Sequence, residues 1–431
     1  MMSMPEPKTA WRLLKSAGVK YVRFVIVDIF GRPRVDILPI DEAKDAFIDG
    51  VLFDGSSIPA YGGVNRSDFV AMPDLDSVYI ETWNGGKTAL IFTSVMDGSR
   101  PSLRDPRNVL KSALETVKAR GYKPLLGVEL EFFLVKGDPP MYADGGVYFD
   151  GHLLHTWPVL EEIMEHFHLS GIGSTKTHHE VAPGQYEVNI PAGDPLEVAD
   201  KVLAFKILAK SVAQRHGYTA TFMPKPFWGI NGSGAHVHLS LWRDGENLFA
   251  SVKEPREELK YAVAGILQNA IANSVFVAPT VNSYKRLVPH HEAPTRIVWG
   301  LGNRSAMVRV PYYGGRINRL EYRHPDPSMN PYVAFASIVF SAYMGVEKRL
   351  EPPPPVDTVA YELEGVRETP RHLGDAVKYA QESALLPEEF VKPYLALKEE
   401  EWLSYLKSEG DWEKTWNKIT RWEYNAYLVN V

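Results

Sequence analysis

The 431-residue sequence predicts a protein of mixed α and β structure, with a small N-terminal unit and a larger C-terminal one. Three observations lead there. The length exceeds what one small core organises, so at least two domains are expected. Early in the chain β-branched and polar residues alternate, the period of a half-buried strand. Further on, helical periodicity recurs over 156–170, 195–216, 256–274 and 330–349, separated by strand-like pieces that carry most of the His, Glu and Arg of interest.

Taken in order, "YVRFVIVDIFGRPRVDILPI" (21–40) alternates around "FGRP" and reads as a hairpin. Residues 41–50 read as a short helix, and "FDGSSIPAYGGVNRSD" (53–68) is a Gly/Ser-rich loop whose composition suits function more than packing. With strands near 77–96 this makes a small mixed unit ending at "GSRPSLRDPR", so the domains are placed at 1–103 and 104–431. A helix over 106–120 leads into "GVELEFFL" (127–134). "EPPPPVDT" (351–358) is a stiff polyproline-like connector, and 394–431 is a Trp-rich amphipathic helical region in which Trp412, Trp416 and Ile419 read as packing.

Composition narrows the chemistry. With 45% hydrophobic and 23% charged residues and a net charge of −6, nothing points to nucleic acid or an anionic membrane as partner. No cysteine is present, which excludes disulfides, thiolate nucleophiles and cysteine zinc sites; a metal would need Asp, Glu, His or backbone oxygen. No stretch is apolar and long enough to span a bilayer, and the start lacks a signal pattern, so a cytoplasmic protein is expected.

In "GVELEFFL", Glu129 and Glu131 leave the same face of a strand, roughly 6–7 Å apart. At an effective dielectric of ~20 they repel by roughly 2–3 kcal/mol, so the pair either faces water or shares a cation. "HHEVAPGQYEVNI" sets Glu180 and Glu187 around a Pro-Gly turn. "NGSGAHVHLSL" puts His236 and His238 on one strand face after a glycine-rich turn, and "RINRLEYRHPDP" does the same for Glu321 and Arg323, with Arg316 and Arg319 upstream. Each pattern alone is more often a solvated or packed face than a site; their co-occurrence carries the functional reading. Oxygen-rich sets with an occasional His favour Mg²⁺ or Mn²⁺. Arg286, Arg304 and Arg309 fall in the same half of the chain, the last two five apart and on opposite faces of a straight strand. Divalent metal plus several arginines is the pattern for phosphoryl transfer, here a metal-dependent enzyme handling a nucleoside triphosphate and an anionic co-substrate.

The motifs "FDGSSI", "NRSD", "ELEFF", "HHEVAPGQYE", "NGSGAHVHLS", "KRLVPHHEAP", "NRSAMVRVP" and "RLEYRHPDPSMNPY" stand in the order of the type I glutamine synthetase family, which the sequence resembles from about residue 20 onward. The resemblance implies an α+β protein: an N-terminal β-grasp-like domain and a large catalytic domain with a curved antiparallel sheet, assembled as two stacked hexameric rings with active sites shared between subunits. It implies two to three Mg²⁺ or Mn²⁺ ions per site, with ATP as co-substrate. One metal set would be Glu131, Glu180 and Glu187, the other Glu129, His236 and Glu321. Asn231, Gly232, Arg286, Glu292 and Arg323 match glutamate-binding positions. His238, Ser240, Arg304, Arg309 and Arg316 match ATP or phosphoryl contacts, with Arg304 also in a catalytic role. Glu292 matches a mobile flap acid, and Asp54, with Ser57 and the nearby Asp68, matches the ammonium site supplied by a neighbouring subunit.

The implied reaction joins ammonia to glutamate through γ-glutamyl phosphate; a family relative that uses a larger amine, such as a polyamine or ethanolamine, is the alternative. A catalytically dead scaffold would be expected to have lost a metal carboxylate, and none is missing. Several positions depart from the family pattern. Ile230 replaces an acid, Thr175 replaces a nucleotide-contacting Glu, Arg316 replaces a Lys, and the region of Tyr148, where an ammonium-pocket Tyr is expected, is altered. Ser383 falls about where regulated relatives carry an adenylylated Tyr, so no such control is expected. The apolar end "RWEYNAYLVNV" is expected to dock on another subunit.

Overall fold

The computed structural model describes residues 6–152, 155–383 and 385–431. Helix α1 (Pro7–Ser16) precedes strands β1 (Tyr21–Val27), β2 (Pro33–Pro39), β3 (Val51–Asp54), β4 (Asp68–Ile80) and β5 (Thr88–Asp97). They lie in the order β2-β1-β5-β4-β3, with β1 and β5 parallel and the other neighbours antiparallel. The 21–40 hairpin is therefore present. The helix expected over 41–50 is confined to Ala46–Asp49, and β4 begins well before the strands expected near 77. The apolar run of β1 serves both faces: Val22 and Phe24 pack with Ala10 and Leu14 of α1, while Val25 and Val27 join the main core. A strand covered on both sides needs no polar alternation.

The chain continues through α2 (Pro106–Ala119), β6 (Lys123–Lys136), α3 (Trp157–Leu169), β7 (Lys176–His179), β8 (Gln185–Gly193), α4 (Pro195–Arg215), β9 (Ala235–Arg243) and α5 (Glu257–Val277). It then forms β10 (Trp299–Leu301), β11 (Val308–Val310), β12 (Leu320–Tyr322), α6 (Pro331–Lys348), α7 (Leu373–Ser383), α8 (Glu388–Glu409) and α9 (Arg421–Tyr427). Helices α2, α4 and α6 start alike: Asp105, Asp194 or Asn330 accepts the backbone N–H two residues on, and a proline occupies the first helical position. Ser383 closes α7, and its side chain lies outside the described portion.

The second sheet runs β10-β11-β12-β9-β6-β8-β7, antiparallel except for β10 and β11. On β6, Leu126, Val128, Leu130, Phe132 and Leu134 point into the main core with Val202, Phe205 and Leu208 of α4. The opposite face carries Gly127, Glu129 and Glu131. That alternation makes one side of the sheet structural and leaves the other for chemistry. No described helix is long and apolar enough to cross a membrane.

The two units are joined by a buried ion cluster. The Arg107 guanidinium donates to both oxygens of Asp200 (2.9 and 2.6 Å) and to Asp74 of β4 at 3.0 Å, and the Tyr332 hydroxyl donates to Asp200 at 2.5 Å. The C-terminal segment lies against its own chain: Glu423 pairs with buried Lys285 at 2.5 Å and accepts from Asn282 at 2.7 Å, and Tyr427 is buried. Trp422, Tyr424, Leu428 and Val431 pack half-buried on this core, Val429 stays exposed, and a capping box from Thr420 opens the helix.

Arg107→Met strands the Asp200 carboxylate in the interior. A loss of about 3–5 kcal/mol is expected, read as a lower guanidinium midpoint, and Arg107→Met with Asp200→Leu should recover much of it.

Candidate functional site

Three cross-strand rows cross the polar face of the second sheet. His178 of β7 opposes Glu187 of β8, which opposes Glu131 of β6. Lys176, Asn189, Glu129 and His236 form the next row, and Gly127, His238, Glu321 and Arg309 the third. Directly opposed side chains start about 4.5–5.5 Å apart, so period two along each strand and register across the sheet bring acids and bases together. Glu180 joins from the turn after β7, with His178 Nε2 at 2.8 Å.

The carboxylates fall into two electrostatic classes. Burial alone would raise Glu129, but His236 Nδ1 at 3.1 Å and His238 Nε2 at 2.9 Å hold it well below its ordinary value. Burial likewise opposes ionisation of Glu321, yet Arg323 and the nearby histidines bring it down to about 2; Arg309 and Arg323 each reach it at 2.6 Å. Glu187 is pushed up to about 8 by burial and then by the charges of Glu129 and Glu180. Burial, with Glu180 and Glu187, also raises Glu131 far above the usual range, although Gly234 N–H (2.9 Å) and Gln185 Nε2 (3.0 Å) donate to it. The site is short of positive charge at Glu131 and Glu187.

This donor set fits a divalent cation. Ligand-capable atoms of Glu129, Glu187 and His236 lie within 4.8 Å of one another, as do those of His178, Glu180 and Glu187. These groupings overlap the expected sets: Glu131 directly opposes Glu187 and lines the same cavity as Glu180 and Glu187, and Glu321 lies 3.9 Å from His236 while also pairing with Arg309 and Arg323. His178 was not among the expected ligands, although its period-two spacing from Glu180 signals it. Gln185, which holds Glu131, carries no comparable signal because only the fold brings the two together.

A second, smaller cavity adjoins the acidic one. It is lined by Asn231, Gly232, Arg286, His291, Glu292 and Arg323, and both cavities share Glu131, Glu180, His236, Glu292 and Arg323. The Arg286 guanidinium is fixed by the main-chain oxygens of His324 (2.9 Å) and Arg323 (3.1 Å). Gly234 is required here: a Cβ would come within 2.7 Å of His236 Nε2 and 2.8 Å of the Arg286 guanidinium. Asn231 Nδ2 donates to Glu292 at 3.3 Å. His290 and Glu292 have φ of 66° and 58°, left-handed conformations that cost energy in non-glycine residues and cluster at working loops.

The remaining expected residues are spread around these cavities. Arg304 lines the acidic cavity because a turn over 303–307 replaces the straight strand that would have sent it away from Arg309. Tyr148 also lines it, stacked at 4.1 Å on Phe149, which packs at 4.8 Å on His178. His238 lies between Glu129 and Arg319, whose Nε donates to it at 3.1 Å. Ser240 accepts from Trp242 at 3.0 Å, and Arg316 is exposed on a short strand opposite Val252. Ile230 packs into a small apolar cluster with Phe133 and Phe227, and Thr175 is exposed. Asp54, Ser57 and Asp68 line neither cavity. Asp54 is exposed and held below the usual carboxylate range by the hydroxyl and N–H of Ser56, then by Ser57.

An enzyme-like α+β protein whose larger sheet presents acids, histidines and arginines suited to a divalent cation is the class this arrangement defines. Comparison with known families narrows it: a family model described as glutamine synthetase, catalytic domain, matches residues 103–417, and one described as glutamine synthetase, beta-Grasp domain, matches 18–98. Glutamine synthetase of Pyrococcus furiosus is 38% identical over 426 residues, covering 95% of this chain and 97% of that protein. That of Thermotoga maritima is 38% identical over 446 residues, covering 98% and 99%. A solved GmaS/ADP complex superimposes with a TM-score of 0.88 at 30% identity over 97% of this chain and 99% of that one, and apo GmaS with 0.86 at 31% over 96% and 98%. The chain belongs to the glutamine synthetase family, an ATP- and divalent-metal-dependent family of ligases.

A measurable pH dependence follows from Glu187. Folded, it keeps its proton up to about 8, against an ordinary value of 4.5. The native state therefore binds more protons than the unfolded one in that window, and the contribution to stability falls as pH rises through it. In chelator, melting temperature should drop from pH 5 to 8 more steeply for the wild type than for Glu187→Gln, and saturating Mg²⁺ should flatten the wild-type slope.

Proposed function

We propose that the protein joins ammonia to the γ-carboxylate of L-glutamate at the expense of ATP, through γ-glutamyl phosphate, to give L-glutamine, ADP and phosphate. The observation that carries this reading is the junction of the two cavities. An amino acid anchored by Asn231, Gly232, Arg286 and Arg323 would turn its side-chain carboxylate toward the acidic cavity across the shared residues.

The donors that would hold Mg²⁺ or Mn²⁺, two to three per site, are Glu129, Glu131, Glu180, Glu187, His236 and Glu321, with His178 in reach. Bound there, the ions supply neutralisation of phosphate oxygens. His238, Ser240 and Arg316 would take the nucleotide, and Arg304 and Arg309 would face the transferred phosphoryl group, where catalysis is mainly positioning and charge. Asp54 would attract ammonium and take its proton, with Ser57 beside it; the hydrogen bonds that keep Asp54 ionised suit that role. Since it stands apart from the cavities of its own chain, it would act in a neighbouring subunit of a dodecamer of two hexameric rings. Glu292 would close over the acyl phosphate, which water destroys, and add negative charge to the amine pocket. A cytoplasmic setting completes the reading.

A second reading is favoured by the GmaS likeness, GmaS being a γ-glutamylmethylamide synthetase: ligation of a larger amine at the same site. Phosphate release with glutamate, ATP and Mg²⁺ separates the two. Ammonium should give the highest turnover; stimulation only by methylamine, ethanolamine or putrescine would sink the ammonia reading.

Glu292→Ala should lower glutamine formation by about 10²-fold. It should also raise the ratio of phosphate released to glutamine formed, measured in one assay mixture, because the acyl phosphate then leaks to water.

A further inference from the structure

A cavity of about 100 Å³ lies outside the catalytic face, between the β1–β2 turn, α4, α8 and the end of the chain. Four cationic side chains line it, Arg32, Lys206, Lys210 and Lys398, against one carboxylate, Glu401. That carboxylate is already matched: Lys398 Nζ pairs with it at 2.6 Å and the Tyr427 hydroxyl donates to it at 2.7 Å. Of the other three, Lys206 and Arg32 meet only neutral groups, while Lys210 reaches the last residue, Val431. Lys206 is buried and donates to the main-chain oxygen of Pro327, with its Nζ 5.2 Å from the Phe222 ring. Lys210 donates to the main-chain oxygens of Val429 and Val431 at 2.9 and 2.7 Å. The Arg32 guanidinium lies 5.4 Å from the Phe30 ring. Among the described residues none of the three forms an ion pair with an acidic side chain.

Such an arrangement is costly without a counter-charge. Burial and then Lys210 push Lys206 down to about 7, while burial and then Arg32 push Lys210 down to about 8. Asp326 favours charge on Lys206, but one of its oxygens is bound to Ser328 and it makes no ion pair with the lysine. The space between the cations is large enough for several waters. It is the size for a phosphate or a short dicarboxylate, and too small for a nucleotide.

We propose that this cavity binds a small doubly charged oxyanion, a phosphate or a short dicarboxylate, between Arg32, Lys206 and Lys210. Arg32 offers a planar fork and the lysines point charges, the pairing that holds oxyanions elsewhere. Because Arg32 comes from the N-terminal sheet and the lysines from α4, the bound anion ties the two units together. None of the three residues lines the catalytic cavities, so the site does not depend on which amine the enzyme uses.

The test is thermal unfolding of the full chain at constant ionic strength, titrated with inorganic phosphate or with glutarate against chloride, for the wild type, Lys206→Met and Arg32→Gln. Anions held by the catalytic arginines shift all three proteins alike. The expected result is an additional saturable stabilisation of the wild type, its midpoint weakened at least about tenfold in both variants, with glutamine-forming turnover unchanged. Without added anion, Lys206→Met should be no less stable than the wild type, whereas a lysine kept for its bond to Pro327 would make it less stable throughout. Saturation by one anion and not the other identifies the ligand class. If neither anion gives a saturable shift beyond chloride, or the shift persists undiminished in the variants, the proposal is overturned. Should Lys206→Met fail to fold, the partly exposed Arg32→Gln carries the comparison.

Discussion

Mutual repulsion among carboxylates gathered on one face of β6, β8 and β12 is the constraint around which the site is organised. Unscreened neighbours at such spacing cost kilocalories each, and the protein answers in two ways. Glu129 and Glu321 receive histidines and arginines from β9, β11 and the end of β12, so they stay ionised. Glu131 and Glu187 receive close hydrogen bonds only from neutral groups, and burial with the neighbouring carboxylates pushes both upward. The uncompensated half is where a divalent cation gains most, since it replaces protons and relieves repulsion together.

Keeping that face in place needs a rigid opposite face. The alternation along β6 buries one set of side chains against α4 and frees the other, so core packing and site geometry are two consequences of one strand. Behind the second cavity, Lys285 is locked by Glu423 and Tyr405 beside Arg286, and Asn282 bridges Glu423 to the backbone of Lys225. The C-terminal segment thus braces the turn that carries Arg286, which lines the second cavity. Left-handed backbone near the site falls at Phe149, which packs on His178, and at His290 and Glu292, beside the second cavity.

The family and the ligase class rest on two family models and on relatives that match nearly end to end. Choice of amine is a finer matter, and the residues proposed for it, Asp54 and Glu292, come from separate stretches of chain, as does Tyr148. Tyr148 illustrates the difficulty. Its sequence surroundings depart from the family pattern, yet its ring reaches the acidic cavity by stacking on Phe149.

The sequence by itself determined the face of each acid and base, because a strand's period of two is local. It also determined the starts of α2, α4 and α6, since a capping Asp or Asn before proline acts within one turn. Register between strands far apart in the chain is not local. Only the tertiary structure placed β6 between β8 and β9, set His178 and Glu187 in one row, handed Gln185 to Glu131 and bent 303–307 so that Arg304 faces the acids. It likewise set Glu423 and Tyr427 of the C-terminal helix into the chain's own interior. Those outcomes depend on which strands become neighbours, and neighbourhood is decided by the packing of the whole core rather than by any short stretch.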